Sequence, residues 1–367
     1  MILDGTKINY YHDRVRAWER GERIAPITID MALTTSCNMR CEFCYAQLQK
    51  NTVKVIKKEH IKRFLEDVST IGVKGVSLVS DGESSISPIF AYTIKYGKSL
   101  GLSMAVGSNA YLLKGRLLKG IFPDLTYLRV NISAGEEARY REIMGARAGM
   151  FEQVCANIRA MVELKDGGHK CTVGMQMVLL PSYVDQIMPL TKLAISLGVD
   201  YLIIKHCSDD EQGTLGVDYG EYAKLNKTLK RAEACSTSRT RIVIKWSKLN
   251  ECSEKGAIRS YSRCYAPSFL LQISGTGLVA PCGMFFNEKY KSYHMGNITE
   301  TSFKDIWESD GYWKIIAKLQ SERFNAQRDC GCLCLHHSVN KYLDNYKKGL
   351  FKLVEPTGKP PIHKEFV

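Results

Sequence analysis

Long apolar runs are missing from this sequence, and no stretch approaches the ~18 uninterrupted apolar residues that a membrane-spanning helix needs. The N-terminus, MILDGTKINYYHDRVRAWERGERIAP, lacks the apolar centre of a secretory signal, so the chain is expected to stay in the cytoplasm. No zinc-finger Cys/His spacing and no RNA-binding aromatic signature accompany the basic residues, which leaves no clear nucleic-acid-binding motif. Internal repeats and low-complexity tracts are also lacking. Acidic residues are in the minority, 38 against 51 Lys and Arg, for a formal charge of +13. That excess fits either solvated basic faces or an anionic partner, and charge alone does not choose between them.

What is present is a chain of 367 residues with 13 cysteines. At ~100–200 residues per domain, this suggests one large domain or a main domain with a smaller appendage. A hydrophobic content of 45% and a charged content of 24% are ordinary globular values, which excludes disorder, collagen and coiled coil. In a reducing compartment so many cysteines do not read as a disulfide framework, and metal is the first expectation.

Short apolar runs alternate with helical patterns. Strands are expected at residues 27–34, 75–79, 103–106, 127–132, 172–179 and 201–205, with helices at 58–71, 88–100, 151–164 and 183–197 between them. In the first helix Ile61, Phe64, Leu65 and Val68 form one apolar stripe. Such repeats predict a parallel α/β sheet, open or closed into a partial barrel, with its chemistry at the C-terminal strand ends. After about residue 208 the rhythm breaks. A strand is expected at 241–245, a hairpin at 269–273 and 278–280 around Ser274-Gly275-Thr276-Gly277, and helices at 302–309 and 312–321. Residues 355–367 read as a loosely held tail.

Cys37-Asn-Met-Arg-Cys41-Glu-Phe-Cys44-Tyr45 follows the first strand directly. Three thiolates without an adjacent fourth ligand do not close a structural zinc site. They suit a [4Fe–4S] cluster with one iron left open. This C-x3-C-x2-C-aromatic pattern resembles the signature of the radical S-adenosylmethionine (radical SAM) enzymes, and the resemblance extends over the first ~210 residues. Ser80-Asp81-Gly82-Glu83-Ser84 stands where the family has Gly-Gly-Glu-Pro, with Asp81 in place of the first Gly and Ser84 in place of Pro. Gly107-Ser108-Asn109-Ala110, Val130-Asn131-Ile132-Ser133-Ala134-Gly135 and Met144-Gly145 through Phe151 resemble its later segments.

The resemblance implies that Cys37, Cys41 and Cys44 hold three irons and that S-adenosylmethionine chelates the fourth. One electron, from a reductant such as flavodoxin or ferredoxin, would then yield a 5′-deoxyadenosyl radical that takes a substrate hydrogen. It further implies cofactor contacts from Tyr45 near the adenine, from Asp81, Gly82 and Glu83 toward the amino group, from Ser108 and Asn109, and from Asn131 or Ser133 near the ribose or carboxylate. A core-packing role for Ser133 is equally consistent.

A second group comprises Cys264, Cys282 in a Pro-Cys step, and Cys330-Gly-Cys332-Leu-Cys334, with Gly296-Asn297-Ile298 and Ile306-Trp307 between. It resembles the C-terminal extension called SPASM, or its shorter twitch form, which binds auxiliary iron–sulfur clusters. Five candidate ligands suit one auxiliary [4Fe–4S] cluster with one thiol over; zinc is the alternative. Cys330 and Cys334 can share a face of an extended strand without Cys332. His336 and His337 are expected at the surface.

Cys155 and Cys171 read as small buried hydrophobes. Cys207 ends the sixth strand beside Lys205 and His206; it reads first as a buried thiol, and the alternative is a thiol that returns a hydrogen atom to a substrate radical. Lys205 and Arg129 are expected to orient an anionic group.

The fold expected is thus α/β, a partial (β/α)6 TIM-like barrel with a small C-terminal α+β iron–sulfur domain of β-hairpin plus helices. Residues 1–26 would be an N-terminal extension, 27–207 the barrel core, 208–262 a bridging region, 263–345 the auxiliary-cluster domain and 346–367 a tail. The expected substrate is a small anionic metabolite, sugar or nucleotide derivative, possibly phosphorylated. A peptide-modifying maturase is the alternative, disfavoured because only 36 residues precede Cys37. A molybdenum-cofactor-type cyclase is disfavoured because the chain ends Glu-Phe-Val. A non-catalytic iron–sulfur or zinc scaffold is the reading from another class.

Overall fold

The computed structural model describes residues 5–49, 54–253, 256–331 and 334–367. Its spine is one ten-stranded sheet in the order β12-β11-β10-β1-β2-β3-β4-β5-β6-β7. Strands β1 (Thr28–Met31), β2 (Gly75–Leu78), β3 (Ser103–Ser108), β4 (Leu125–Asn131), β5 (Thr172–Leu179) and β6 (Tyr201–His206) are the six expected ones, in order and parallel. Helices α2 (Lys58–Ile71), α3 (Phe90–Ser99), α4 (Gly115–Ile121), α5 (Glu137–Met144), α6 (Met150–Asp166) and α7 (Val184–Leu197) connect them and cover the outer face. The stripe on α2 is buried as its spacing requires, with Ile61, Phe64, Leu65 and Val68 each at most 1% exposed. Each such burial contributes about 1.5–3 kcal/mol.

The sheet does not stop at six strands. β7 (Arg241–Ile244), in the region expected to bridge two domains, pairs parallel to β6. At the opposite end, β10 (Leu270–Ile273) pairs parallel to β1, so the expected C-terminal hairpin is continuous with the barrel sheet. β11 (Leu278–Ala280) and β12 (Gly296–Asn297) follow antiparallel. A short pair, β8 (Cys252–Ser253) with β9 (Gly256–Ala257), stands apart.

The rest of the chain closes around this arc. α1 (His12–Glu19) brings Trp18 edge-on to Tyr265 and Phe269, 5.5 and 5.6 Å between ring centres. α8 (Asn226–Ala234) and α9 (Trp246–Leu249) flank β7, and α10 (Phe303–Glu308) sets Phe303 against Phe64 of α2 at 5.5 Å. After α11 (Asp310–Gln320) and α12 (Ala326–Asp329), α13 (His337–Lys347) packs beside residues 265–266.

Two expectations are corrected. The tail is not loosely held: Phe366 is 7% exposed, lies 5.0 Å from the Tyr127 ring, and is tied down at its neighbours. Thr28 Oγ1 donates to Glu365 O at 2.5 Å and accepts from Val367 N–H at 3.2 Å, while Lys7 Nζ donates to Phe366 O. These contacts lie at the start of β1, so the tail seals the end of the barrel away from the cysteine loop. Nothing in the local pattern of 355–367 encodes this, because the partners are hundreds of residues away. His336 and His337, expected at the surface, are 4% and 1% exposed, since they begin α13 inside the protein.

Candidate active site

The loop after β1 carries the first cysteine group over the C-terminal ends of the strands. Its backbone is docked on the end of α5, where Arg40 N–H donates to Met144 O and Glu42 N–H to Ile143 O, both at 3.1 Å. Burial raises the Cys37, Cys41 and Cys44 thiols above their ordinary range, and neighbouring thiols add to the shift at Cys41 and Cys44. A cationic centre would reverse that cost and hold them as thiolates. Every cysteine among the described residues is a free thiol.

Glu83, in the turn after β2, is buried beside this loop. Its Oε1 accepts from Ser85 Oγ at 2.6 Å and from Ser108 Oγ at 2.8 Å, and its Oε2 accepts from Asn109 N–H at 2.7 Å. Asn109 Nδ2 in turn donates to Asn38 Oδ1 at 2.6 Å and sits 4.0 Å from Cys37 Sγ. Ser108 and Asn109 therefore orient Glu83, and one Oε2 lone pair stays available toward the cavity. Asp81 does something else. Its carboxylate accepts from Ser274 Oγ at 2.6 Å and from Gly275 N–H at 2.9 Å in the C-terminal hairpin. It does not line the cavity. Gly82 (φ +107°) packs so closely that a Cβ there would lie 2.1 Å from Thr34 O, and one on Gly275 would lie 2.2 Å from Thr34 C. These two turns clamp the chain just before the cysteine loop.

Below the loop a cavity of about 880 Å³ runs down the barrel to the tail. Strand periodicity puts alternate residues on its wall: Arg129 and Asn131 from β4, Gln176 and Val178 from β5, Ile203 and Lys205 from β6. The lining is completed by Lys245 and Lys248 after β7, Gln272 of β10, and His336 ahead of α13. Arg129 Nε has no hydrogen-bond partner among the described residues. Burial, reinforced by Arg129, Lys248 and Lys245, lowers Lys205 to about 7. Asp30 of β1 faces the same space; burial raises it to about 6, partly countered by Arg129. The wall is thus largely apolar, and among its charged groups the cationic ones predominate.

Tyr45 lies between the two cysteine groups. Its hydroxyl is 3.4 Å from Ser80 Oγ, and a Cβ on Gly283, next to Cys282, would meet its ring at 3.0 Å. In the second group Cys264, Cys282 and Cys334 are buried and Cys330 is partly so; burial first, and the neighbouring thiols after it, push the Cys264 and Cys282 thiols well above their ordinary range. Cys332 lies outside the described residues. Asn340 Nδ2 donates toward Cys264 Sγ and Cys334 Sγ at 3.5 and 3.4 Å. Arg259 donates to Ala326 O and Gly331 O beside Cys330 and Cys334, and Lys248 Nζ to Cys334 O at 2.7 Å. Four thiols with amide and cationic donors around them fit an anionic iron–sulfur cluster. Among the described residues no group of three or more Cys, His, Asp or Glu is drawn together for a single metal ion; in a four-iron cluster each thiolate binds a different iron.

The fold therefore brings Cys37, Cys41, Cys44, Tyr45, Gly82, Glu83, Asn109, Asn131 and Lys205 to one cavity. Ser108 reaches it only through Glu83. Ser133 is fully buried and accepts from Val178 N–H at 3.1 Å, the packing role left open by sequence. The Cys207 thiol turns from the cavity toward Phe43 O and Ser208 O, 3.6 Å from each. Sequence reading missed Asp30, Gln176, Lys245, Lys248, His336 and Asn340. The first two were within reach, since a polar residue inside an apolar strand facing a parallel barrel's interior is itself a signal.

A family model described as the radical SAM superfamily matches residues 31–193, and SPASM, an iron–sulfur cluster-binding domain, matches residues 264–334. The chain is 22% identical over 303 residues to the tungsten-containing aldehyde ferredoxin oxidoreductase cofactor-modifying protein of Pyrococcus furiosus, covering 77% of this chain and 81% of that one. It is 21% identical over 362 residues to the mycofactocin maturase MftC of Mycolicibacterium smegmatis, covering 96% and 88%. The fold is similar to that of Streptococcus suis SuiB bound to S-adenosylmethionine, with a TM-score of 0.62 at 17% identity over 83% of this chain and 71% of that one. SuiB bound to its precursor peptide SuiA aligns with a TM-score of 0.63 at 16% identity, over 83% and 69%. A three-cysteine loop over a cationic barrel, an auxiliary thiol set beside it and both family matches lead to one assignment: the chain belongs to the radical SAM superfamily and is an S-adenosylmethionine-dependent iron–sulfur enzyme with a C-terminal SPASM domain.

Proposed function

We propose that this enzyme abstracts a hydrogen from a small anionic molecule bound in the barrel, a phosphorylated or carboxylated metabolite, sugar or nucleotide derivative. The observation that carries this reading is the pair Arg129 and Lys205 on the cavity wall, the one with an unpartnered Nε and the other without an ion pair among the described residues. Lys245 and Lys248 add positive charge from the side.

Cys37, Cys41 and Cys44 are proposed to hold the catalytic [4Fe–4S] cluster, and Cys264, Cys282, Cys330 and Cys334 the auxiliary one. When bound there, the cluster and S-adenosylmethionine would supply the radical chemistry that removes a substrate hydrogen. Glu83 offers its free lone pair to the methionine ammonium, with Ser108 and Asn109 fixing its direction. Tyr45 and Asn131 bound the space beneath. Arg129 and Lys205 hold the substrate's anionic group, and the Thr28–Glu365–Val367 bonds keep the far end closed to water. An external reductant such as flavodoxin or ferredoxin provides the electron, and free thiols of this kind suit the reducing cytoplasm.

Anaerobic reconstitution tests the proposal. The expected yield is about eight irons per chain, with 5′-deoxyadenosine formed on reduction. Cys41→Ala should abolish 5′-deoxyadenosine and retain the auxiliary irons. Zinc in both sites, or no cleavage of S-adenosylmethionine, would sink the reading. Incubation with deuterated phosphorylated and carboxylated metabolites should transfer deuterium into 5′-deoxyadenosine. Transfer from peptides alone would replace the small-anion substrate with the peptide class that SuiB binds.

A further inference from the structure

Asn340, on the first turn of α13, is fully buried, and all of its amide is committed. Oδ1 accepts from two backbone donors, Tyr265 N–H at 2.7 Å and Ala266 N–H at 2.8 Å. Two N–H groups can face only the oxygen of a carboxamide, so this end cannot flip. Nδ2 must then point the opposite way, and there it meets Cys264 Sγ at 3.5 Å and Cys334 Sγ at 3.4 Å. Its two hydrogens are thus divided between two thiols that stand 70 positions apart in the chain. Arg259 is nearby as well: its donors end on Ala326 O and Gly331 O, and its charge and side-chain hydrogen bonding act on Cys330, whereas Asn340 serves Cys264 and Cys334.

We propose that Asn340 is a positioning residue of the auxiliary cluster, donating one N–H to each of the Cys264 and Cys334 thiolates and so setting the cluster's reduction potential. This rests on the assignment of Cys264, Cys282, Cys330 and Cys334 as its ligands. Reduction adds negative charge to the cluster, and part of it resides on the thiolates. Donors to those sulfurs therefore stabilise the reduced state more than the oxidised one and raise the potential.

The test uses the full-length chain carrying Cys37→Ala, Cys41→Ala and Cys44→Ala, which isolates the auxiliary cluster. About four irons per chain are expected in this parent; their absence would defeat the ligand assignment before Asn340 is touched. Asn340→Asp keeps an acceptor for Tyr265 and Ala266 N–H but replaces both donors with a second oxygen. A midpoint potential below the parent's, read by spectroscopic redox titration, supports the proposal, as does loss of the auxiliary irons from a chain that still melts cooperatively. Asn340→Ala removes the donors without adding charge and should shift the potential in the same direction by less. If either variant folds, keeps its irons and titrates at the parent potential, the proposal is overturned.

Discussion

The Asp81 carboxylate bonds Gly275 N–H at 2.9 Å across 194 positions of sequence, with Ser274 Oγ at 2.6 Å on its other oxygen. One residue of the β2 turn thus fastens the auxiliary hairpin to the barrel. This accounts for the acidic side chain where the resembled family motif has glycine. Glu83, two positions on, stays with the cysteine loop, so two acids of one turn serve two different parts of the enzyme.

Asp81→Ala is expected to destabilise the fold by about 1.5–3 kcal/mol, since it strands two buried donors. Asp81→Asn should rescue it in part, because the amide oxygen can accept from Gly275 N–H while its N–H turns to the Ser274 hydroxyl, which can also accept. Urea unfolding of both variants checks this. Burial holds Asp81 at about 6, above the ordinary carboxylate range. The folded chain therefore takes up a proton between about pH 6 and 4 that the unfolded chain does not, and this group favours folding as pH falls through that window.

Gly275→Ala should be more damaging than an ordinary surface change. The added methyl would lie 2.2 Å from the Thr34 carbonyl carbon, and backbone is on both sides of the contact. A loss of about 3 kcal/mol is expected, with iron content falling because Thr34 leads into the cysteine loop. Normal melting and iron content would refute the clamp.

Lys205 at about 7 gives the cavity a pH-sensitive anion site. Above that point the charged fraction of the free protein falls about tenfold per pH unit. The kcat/KM for an anionic substrate should fall likewise. Lys205→Arg should flatten this dependence, because guanidinium stays charged. Lys205→Met should be weak at every pH. An unchanged slope in Lys205→Arg would assign the dependence elsewhere.

Phe366→Ala should cost about 3 kcal/mol, the lower end for a buried Phe, although the residue lies in a segment with no apolar periodicity. The same substitution should open the far end of the cavity. A denaturant midpoint equal to the parent's would mean that the tail does not seal the barrel.

The six barrel strands, the α2 stripe and both cysteine groups were legible because they depend on local pattern: strand period, helical period and thiol spacing. That Glu83 and Asn109 face the cavity was legible through their positions after strands β2 and β3. Asp81 was misread because a motif records which residue follows a strand and not which distant donor it meets. Cys207 sits one residue beyond β6, and that single step turns its thiol from the cavity to the Phe43 carbonyl. His336 and His337 look like surface residues beside a charged helix, and only the packing of the start of α13 against residues 265–266 and the cavity buries them.

Sequence alone therefore pointed to the family, through the resemblance of its cysteine loop and later strand-end segments, and it determined the order of the parallel strands. Tertiary structure decided the rest: that β7 and β10 extend the arc, that the tail closes it, that Arg129 and Lys205 share one wall, and that Asn340 reaches two thiols at once. These depend on contacts between residues far apart in the chain, where geometry is set by packing and by the need to satisfy buried polar groups, and local pattern carries no record of either.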